Sequence, residues 1–149
     1  MTDDAEDLYN SLMLEHSRSP RNFGPLPGAT RTARGDNPFC GDHVTVALVL
    51  ADGQIVDLRF EGTACAVSTA SASMMTDRLK GRTAAEAEAL YRRFEGMLGG
   101  AEEPPRDLGD LAAFAAVRRF PVRLKCARLP WRTLLAALGG DRSQTVTTE

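Results

Sequence analysis

No C-x-x-C pair occurs in this sequence, no apolar run approaches the length of a membrane span, and neither sign of charge dominates. The first absence removes the strong zinc-ribbon and redox-motif signatures. The second excludes a spanning helix, which needs roughly 20 apolar residues. The third is a formal net charge of −2. It argues against general nucleic-acid binding, which normally shows a strongly basic face. An apolar signal core is missing as well, since the stretch Met1 to Asp7 carries four acids. Secretion is therefore not expected, and the cytoplasm is the expected compartment.

What is present is sparse and specific. Three cysteines stand at Cys40, Cys65 and Cys126, and Asp42 follows the first in Asn37-Pro38-Phe39-Cys40-Gly41-Asp42. An odd, widely spaced set cannot all pair as disulfides, and a reducing compartment keeps thiols reduced. Thiolates beside a carboxylate make a metal or sulfur-handling site. The alternative is three unrelated core cysteines, because a reduced Cys often packs as a small apolar residue. Spacing alone leaves both readings open.

With 149 residues, 43 % hydrophobic and 26 % charged, the chain reads as one domain over residues 1–140, able to bury a core without staples. The polar segment 141–149 reads as a disordered tail. Leu8, Leu12 and His16, with Tyr9 and Met13 beside them, recur at helical spacing over residues 5–17. The turn-rich Ser19-Pro20-Arg21-Asn22-Phe23-Gly24-Pro25 ends that helix, and residues 30–35 suit a polar edge strand. Val44, Val46, Leu48 and Leu50 then alternate along one strand and Val56, Leu58 and Phe60 along the next, with Asp52-Gly53 at the turn.

The register of this hairpin matters for the site. A two-residue loop at Asp52-Gly53 sets Val46 opposite Arg59 and Leu48 opposite Asp57, so a three-residue loop is expected instead. Either choice brings the two ends of the hairpin level, a strand spacing of roughly 5 Å apart. Cys40 and Asp42 lie before one strand and Cys65 after the other, so local geometry alone gathers these side chains.

From Cys65 a run of small residues, Ala64 to Met75, carries Val67, Ala70 and Met74 at helical spacing and reads as a helix to about Leu79. Its Ser/Ala content fits close packing of a helix on a sheet. A helix start at Cys65 also lowers that thiol's pKa through the dipole and the unpaired N–H groups. Gly81 ends the helix, and Thr83 with Glu86 forms a capping box for the next, which runs to about Met97. Residues 99–107 read as an exposed loop and 108–116 as a short helix. Pro130 either kinks a last helix or starts a new one, whose stripe of Trp131, Leu134, Leu135 and Leu138 stops at Gly139-Gly140. His16 is expected to cap the last carbonyls of the first helix, and His43 to point away from Asp42 by strand alternation.

Several motifs in order are recognisable. They are Leu14-Glu15-His16, Pro20-Arg21-Asn22-Phe23-Gly24, the Cys40/Asp42 motif, Phe60-Glu61-Gly62-Thr63-Ala64-Cys65, Ser68 to Met75, and Arg123-Leu124-Lys125-Cys126-Ala127. Over residues 5–139 the chain resembles the SufU branch of the IscU/NifU-N family of iron–sulfur cluster assembly proteins. Lys125 stands where IscU-type members look to have histidine, and the stretch 99–118, with Asp107-Leu108-Gly109-Asp110-Leu111, resembles an insertion typical of SufU. Phe39 replaces a small polar residue.

The resemblance implies an α+β fold, a small antiparallel sheet with helices packed on one face. It implies that Cys40, Asp42, Cys65 and Cys126 are the metal ligands, a donor set suited to tetrahedral Zn²⁺. Its first functional implication is a zinc-bound sulfur acceptor that takes persulfide sulfur from a PLP-dependent, SufS-like cysteine desulfurase and passes it to downstream iron–sulfur assembly proteins. The second is an IscU-like scaffold for a transient [2Fe–2S] cluster. The third is an adaptor with purely structural zinc. Cys40 is the expected sulfur acceptor and Cys126 the runner-up. Arg118, Arg119, Arg123, Lys125 and Arg128 are expected to form a basic docking edge for the desulfurase.

Overall fold

A computed structural model describes residues 2–38, 41–100, 106–139 and 145–147. Phe39 and Cys40, most of the expected 99–107 loop, and most of the expected tail lie outside the described residues. Helix α1 (Thr2–Arg18) leads through the Pro20–Pro25 turns to strands β1 (Arg31–Asn37), β2 (Asp42–Ala51) and β3 (Gln54–Thr63). Helices α2 (Ala66–Leu79) and α3 (Ala84–Leu98) follow, then a 3₁₀ segment Arg106–Arg119, helix α4 (Pro121–Leu138) and a short strand β4 (Thr145–Thr147). The strand order is β3-β2-β1-β4, antiparallel through the first three, with β4 parallel to β1. The α+β architecture follows the expectation, with α4 lying across β1 and β2 and α2 bridging α1, α4 and β3.

The hairpin reaches the anticipated pairing by a different route. Asp52 and Gly53, at φ 52° and 77°, make a two-residue turn closed by Ala51 opposite Gln54. Positive φ at both positions is the type I′ requirement, matched to strand twist. The register then slips between Val49, opposite Asp57, and Leu50, opposite Ile55. Val56 is left over as a β-bulge, which supplies the one-residue offset expected of a longer loop. Val46 thus faces Phe60, and Leu48 faces Leu58. The bulge also reverses one assignment: Ile55 is fully buried, and Val56 is 53 % exposed.

Strand β1 is longer than expected and is flanked on both sides. Gly35 at its centre lies so close to α4 that a Cβ there would run into Thr133 and Leu129. A side chain at this position would push the helix off the sheet.

The Ser/Ala run of α2 packs mainly between helices rather than on the sheet. Its hydroxyls serve the neighbouring backbones. Ser71 Oγ donates to the Ala127 carbonyl at 2.7 Å and accepts from Trp131 Nε1 at 3.2 Å. Pro121 occupies the first turn of α4, where its missing N–H removes nothing, and the helix continues through Pro130. Thr83 and Glu86 form the capping box on α3. The 3₁₀ segment breaks at Gly109 (φ 57°) and buries Leu108, Leu111, Phe114 and Val117, so it belongs to the core. An aromatic chain joins it to the helices. Trp131 stacks on Phe94 at 4.9 Å between centroids, Phe94 meets Phe114 edge-on at 5.6 Å, and Phe114 meets Tyr9 at 6.2 Å.

Candidate metal centre

Three elements meet at one point. Asp42 is the first residue of β2, Cys65 caps the N-terminus of α2, and Cys126 lies inside α4. Their ligand atoms, one carboxylate oxygen and two sulfurs, lie within 4.8 Å of one another. Asp42 and Cys126 are buried, and Cys65 is partly exposed. Cys40, the fourth expected ligand, lies outside the described residues, but two residues of chain separate it from Asp42 by at most about 7 Å.

Backbone donors hold the group in place. Cys65, at φ −67° and ψ 169°, takes the extended conformation of an N-cap, and its Sγ accepts from the Ser68 N–H at 3.5 Å. Asp42 Oδ1 accepts from the Cys65 N–H at 2.8 Å. Ser68 Oγ lies 3.3 Å from Asp42 Oδ2 and 2.9 Å from the Cys126 carbonyl. Asn37 Nδ2 donates to Cys126 Sγ at 3.6 Å. Ser68 and Asn37 were not singled out from the sequence. For Ser68 the usable signal was its place three residues after an N-cap cysteine, where the N–H turns back to the cap.

The hydrogen bond with Cys126 is the main cause that lowers the Cys65 pKa from 9.0 to about 6. The Ser68 N–H acts in the same direction, and burial and the Asp42 carboxylate oppose it. Such a thiol is anionic at neutral pH, the form that binds metal and attacks electrophiles. Zinc takes thiolate and carboxylate donors at about 2.0–2.3 Å, so tetrahedral ligands sit about 3.3–3.8 Å apart. Donor atoms already gathered within 4.8 Å fit that demand with small movements.

The remaining candidates separate clearly. His16 is buried and does not cap its helix as expected: its Nδ1 lies 2.7 Å from Ser73 Oγ. Ser73 Oγ also accepts the Arg21 N–H at 2.8 Å. Burial first, and then the Arg21 guanidinium, hold the His16 pKa below 6.5, against Glu15, Asp77 and Asp110. As pH falls through 6.5 the unfolded chain therefore gains a proton that the folded chain refuses, and stability drops. The limit for one proton is about 1.4 kcal/mol per pH unit. His16→Gln is expected to flatten this loss between pH 7 and 5.5 in denaturant titrations, and an unchanged slope would refute the assignment. His43 shows the expected alternation, partly exposed beside buried Asp42.

The basic edge is smaller than expected. Arg128 Nε stands 2.7 Å from Glu95 Oε1 in a largely buried ion pair, without hydrogen-bond alignment, rather than on an exposed basic edge. Arg123 lies over the Phe120 ring at 4.6 Å, beside exposed Val122. No helix among the described residues is long and apolar enough to cross a membrane.

An α+β domain whose sheet end and two helices converge on an Asp/Cys/Cys centre has close relatives. Residues 8–127 match the family described as NifU-like N terminal domain. The chain is 40 % identical over 131 residues to the zinc-dependent sulfurtransferase SufU of Bacillus subtilis (strain 168), covering 87 % of this chain and 88 % of that protein. It is 38 % identical over 132 residues to the iron–sulfur cluster assembly scaffold protein IscU of Streptococcus pyogenes serotype M1, covering 88 % and 82 % respectively. Among solved structures, FiSufU from Fervidobacterium islandicum AW-1 superposes with a TM-score of 0.83 at 35 % identity, over 88 % of this chain and 96 % of that one. The N-terminal part of a nitrogen-fixing NifU-like protein from Brucella abortus gives 0.82 at 29 %, over 91 % and 94 %. The chain belongs to the NifU-like N-terminal domain family.

Proposed function

We propose that this chain is a zinc-bound sulfur acceptor in iron–sulfur cluster assembly, taking persulfide sulfur from a PLP-dependent cysteine desulfurase and handing it to downstream assembly proteins. The observation that carries the reading is the convergence of Asp42, Cys65 and Cys126; Cys40, two residues before Asp42 in the sequence, is the fourth ligand in this reading. The 40 % identity to a zinc-dependent sulfurtransferase supports it. When bound, zinc keeps its sulfur ligands as thiolates at neutral pH.

The chain's own residues divide the work. Asp42 is fixed by the Cys65 N–H, Cys65 is built into a helix start, and Cys126 is buried within α4. Cys40, which the sequence sets between Pro38 and Gly41, is the sulfur acceptor in this reading; Cys126 is the runner-up. The Cys40 thiolate attacks the outer sulfur of the donor persulfide, so one S–S bond forms, another breaks, and the donor cysteine leaves as thiolate. Sulfur moves without an external oxidant or reductant. Arg119 and Arg123, with exposed Phe120 and Val122, lie ahead of Cys126 in the chain and supply a basic and apolar docking edge for the desulfurase. Reduced thiols suit a cytoplasmic setting.

A second reading, a scaffold for a [2Fe–2S] cluster, draws on the 38 % identity to an IscU and on the affinity of thiolates for iron–sulfur clusters. The test is cysteine turnover by the cognate desulfurase with and without this protein. Turnover is expected to rise, with sulfur appearing on this chain. No rise would favour the third reading, an adaptor with structural zinc.

A further inference from the structure

We infer that Ser68 is a positioning residue of the metal centre, and that Pro130 is the reason it is held there. Ser68 is fully buried and touches each of the three gathered residues. Its N–H points to Cys65 Sγ, and its hydroxyl lies 3.3 Å from Asp42 Oδ2 and 2.9 Å from the Cys126 carbonyl. The last contact follows from the sequence of α4. In an α-helix a carbonyl accepts from the N–H four residues on, and four residues after Cys126 stands Pro130, which has none. A buried carbonyl requires a donor, and the Ser68 hydroxyl meets this one from the facing helix.

A serine has a single proton to give. The distances place it chiefly on the Cys126 carbonyl, leaving Asp42 Oδ2 with the longer contact. Oδ1 is meanwhile engaged by the Cys65 N–H at 2.8 Å. Ser68 thus fixes the backbone that carries Cys126 while leaving Asp42 an oxygen only lightly bonded and available as a ligand. Ser71, one turn later, repeats the connection one residue on, at the Ala127 carbonyl. That bond seats the two helices; Ser68 sets where the third cysteine stands relative to the other two donors.

This inference rests on the metal-site reading, and the test separates the two. Zn²⁺ affinity is measured by competition with a chromogenic chelator at fixed pH for the wild type, Ser68→Ala, Ser68→Thr, Pro130→Ala and the Ser68→Ala/Pro130→Ala double variant. Thermal unfolding of the metal-free forms is run alongside. Ser68→Ala is expected to weaken Zn²⁺ binding about 10- to 100-fold, the usual effect of losing a residue that orients metal ligands. Ser68→Thr, which keeps the hydroxyl, retains more affinity. Pro130→Ala returns an N–H to the Cys126 carbonyl, so it changes affinity less than Ser68→Ala does and recovers part of the loss in the double variant. The same non-additivity is expected in the melting temperatures of the metal-free proteins.

Wild-type affinity in Ser68→Ala, or a lowered melting temperature with unchanged affinity, would reduce Ser68 to a packing residue and overturn the inference. A wild type that binds no Zn²⁺ would instead overturn the metal-site reading. The metal-free cycle then still decides the link between Ser68 and Pro130, and strictly additive effects refute it.

Discussion

Replacing both Cys65 and Cys126 by serine is expected to remove the bound zinc and to lower the melting temperature on the order of 10 °C. Freshly purified wild type should carry about one Zn²⁺ per chain. A closed four-ligand zinc site contributes folding free energy directly, because the site does not exist in the unfolded chain. A metal held by Asp42, Cys65 and Cys126 would tie together β2, the start of α2 and the second turn of α4, elements far apart in sequence. Loss of a few kcal/mol in a domain of this size shifts the melting temperature by roughly 2–4 °C per kcal/mol. A chelator should lower the melting temperature of the wild type and leave that of the double variant unchanged. Metal that stays tightly bound after both replacements would show that the centre lies elsewhere.

Trp131→Ala is expected to be the most destabilising single substitution in the core, at about 3–5 kcal/mol. Trp131 is fully buried, stacks on Phe94 and donates its indole N–H to Ser71. Removing it opens a cavity between α3 and α4 and takes a donor from Ser71 in the same step. Against a total stability of about 5–15 kcal/mol this approaches unfolding at growth temperature. The urea midpoint measures it. A loss below about 1 kcal/mol would mean that α4 is not seated by this aromatic stack.

Much of this organisation could be read from residue patterns, and the failures are informative. The helical spacing of Leu8, Leu12 and His16, with Tyr9 and Met13 beside them, gave α1, although Leu8 is exposed and the buried side is Tyr9, Met13 and His16. The Thr83/Glu86 pair gave the start of α3, and the hairpin ends brought Asp42 to Cys65. These features depend on local spacing, which sequence displays. The bulge at Val56 was not legible because two physical demands met there. The I′ turn at Asp52-Gly53 fixes the loop at two residues, the buried face fixes the pairing of Val46 and Leu48, and only a local insertion satisfies both. Arg128 read as a surface charge until α3 supplied Glu95 from more than thirty positions away.

Asp42, Cys65 and Cys126, three of the four expected site residues, are brought together as the sequence suggested; what holds them together was not legible there. Cysteine and aspartate announce their chemistry by type. Ser68, Asn37 and Pro130 have ordinary packing roles in most proteins, and they acquire another here only through contacts between β1, α2 and α4. The serine content of α2 looked like a device for close packing on the sheet. The run packs mainly between helices instead, and it is a row of donors facing carbonyls of α4.

The central claim is that this centre receives sulfur on a cysteine of its own, and intact-protein mass spectrometry after a single desulfurase turnover tests it most directly. The wild type and the three variants Cys40→Ser, Cys65→Ser and Cys126→Ser are each incubated with the persulfide-loaded desulfurase and digested to locate any added sulfur. The account predicts a gain of one sulfur atom in the wild type, located on Cys40 and absent from Cys40→Ser. Sulfur that persists in Cys40→Ser and vanishes in Cys126→Ser would contradict the assignment of the acceptor, and a wild type that gains none would contradict the relay itself.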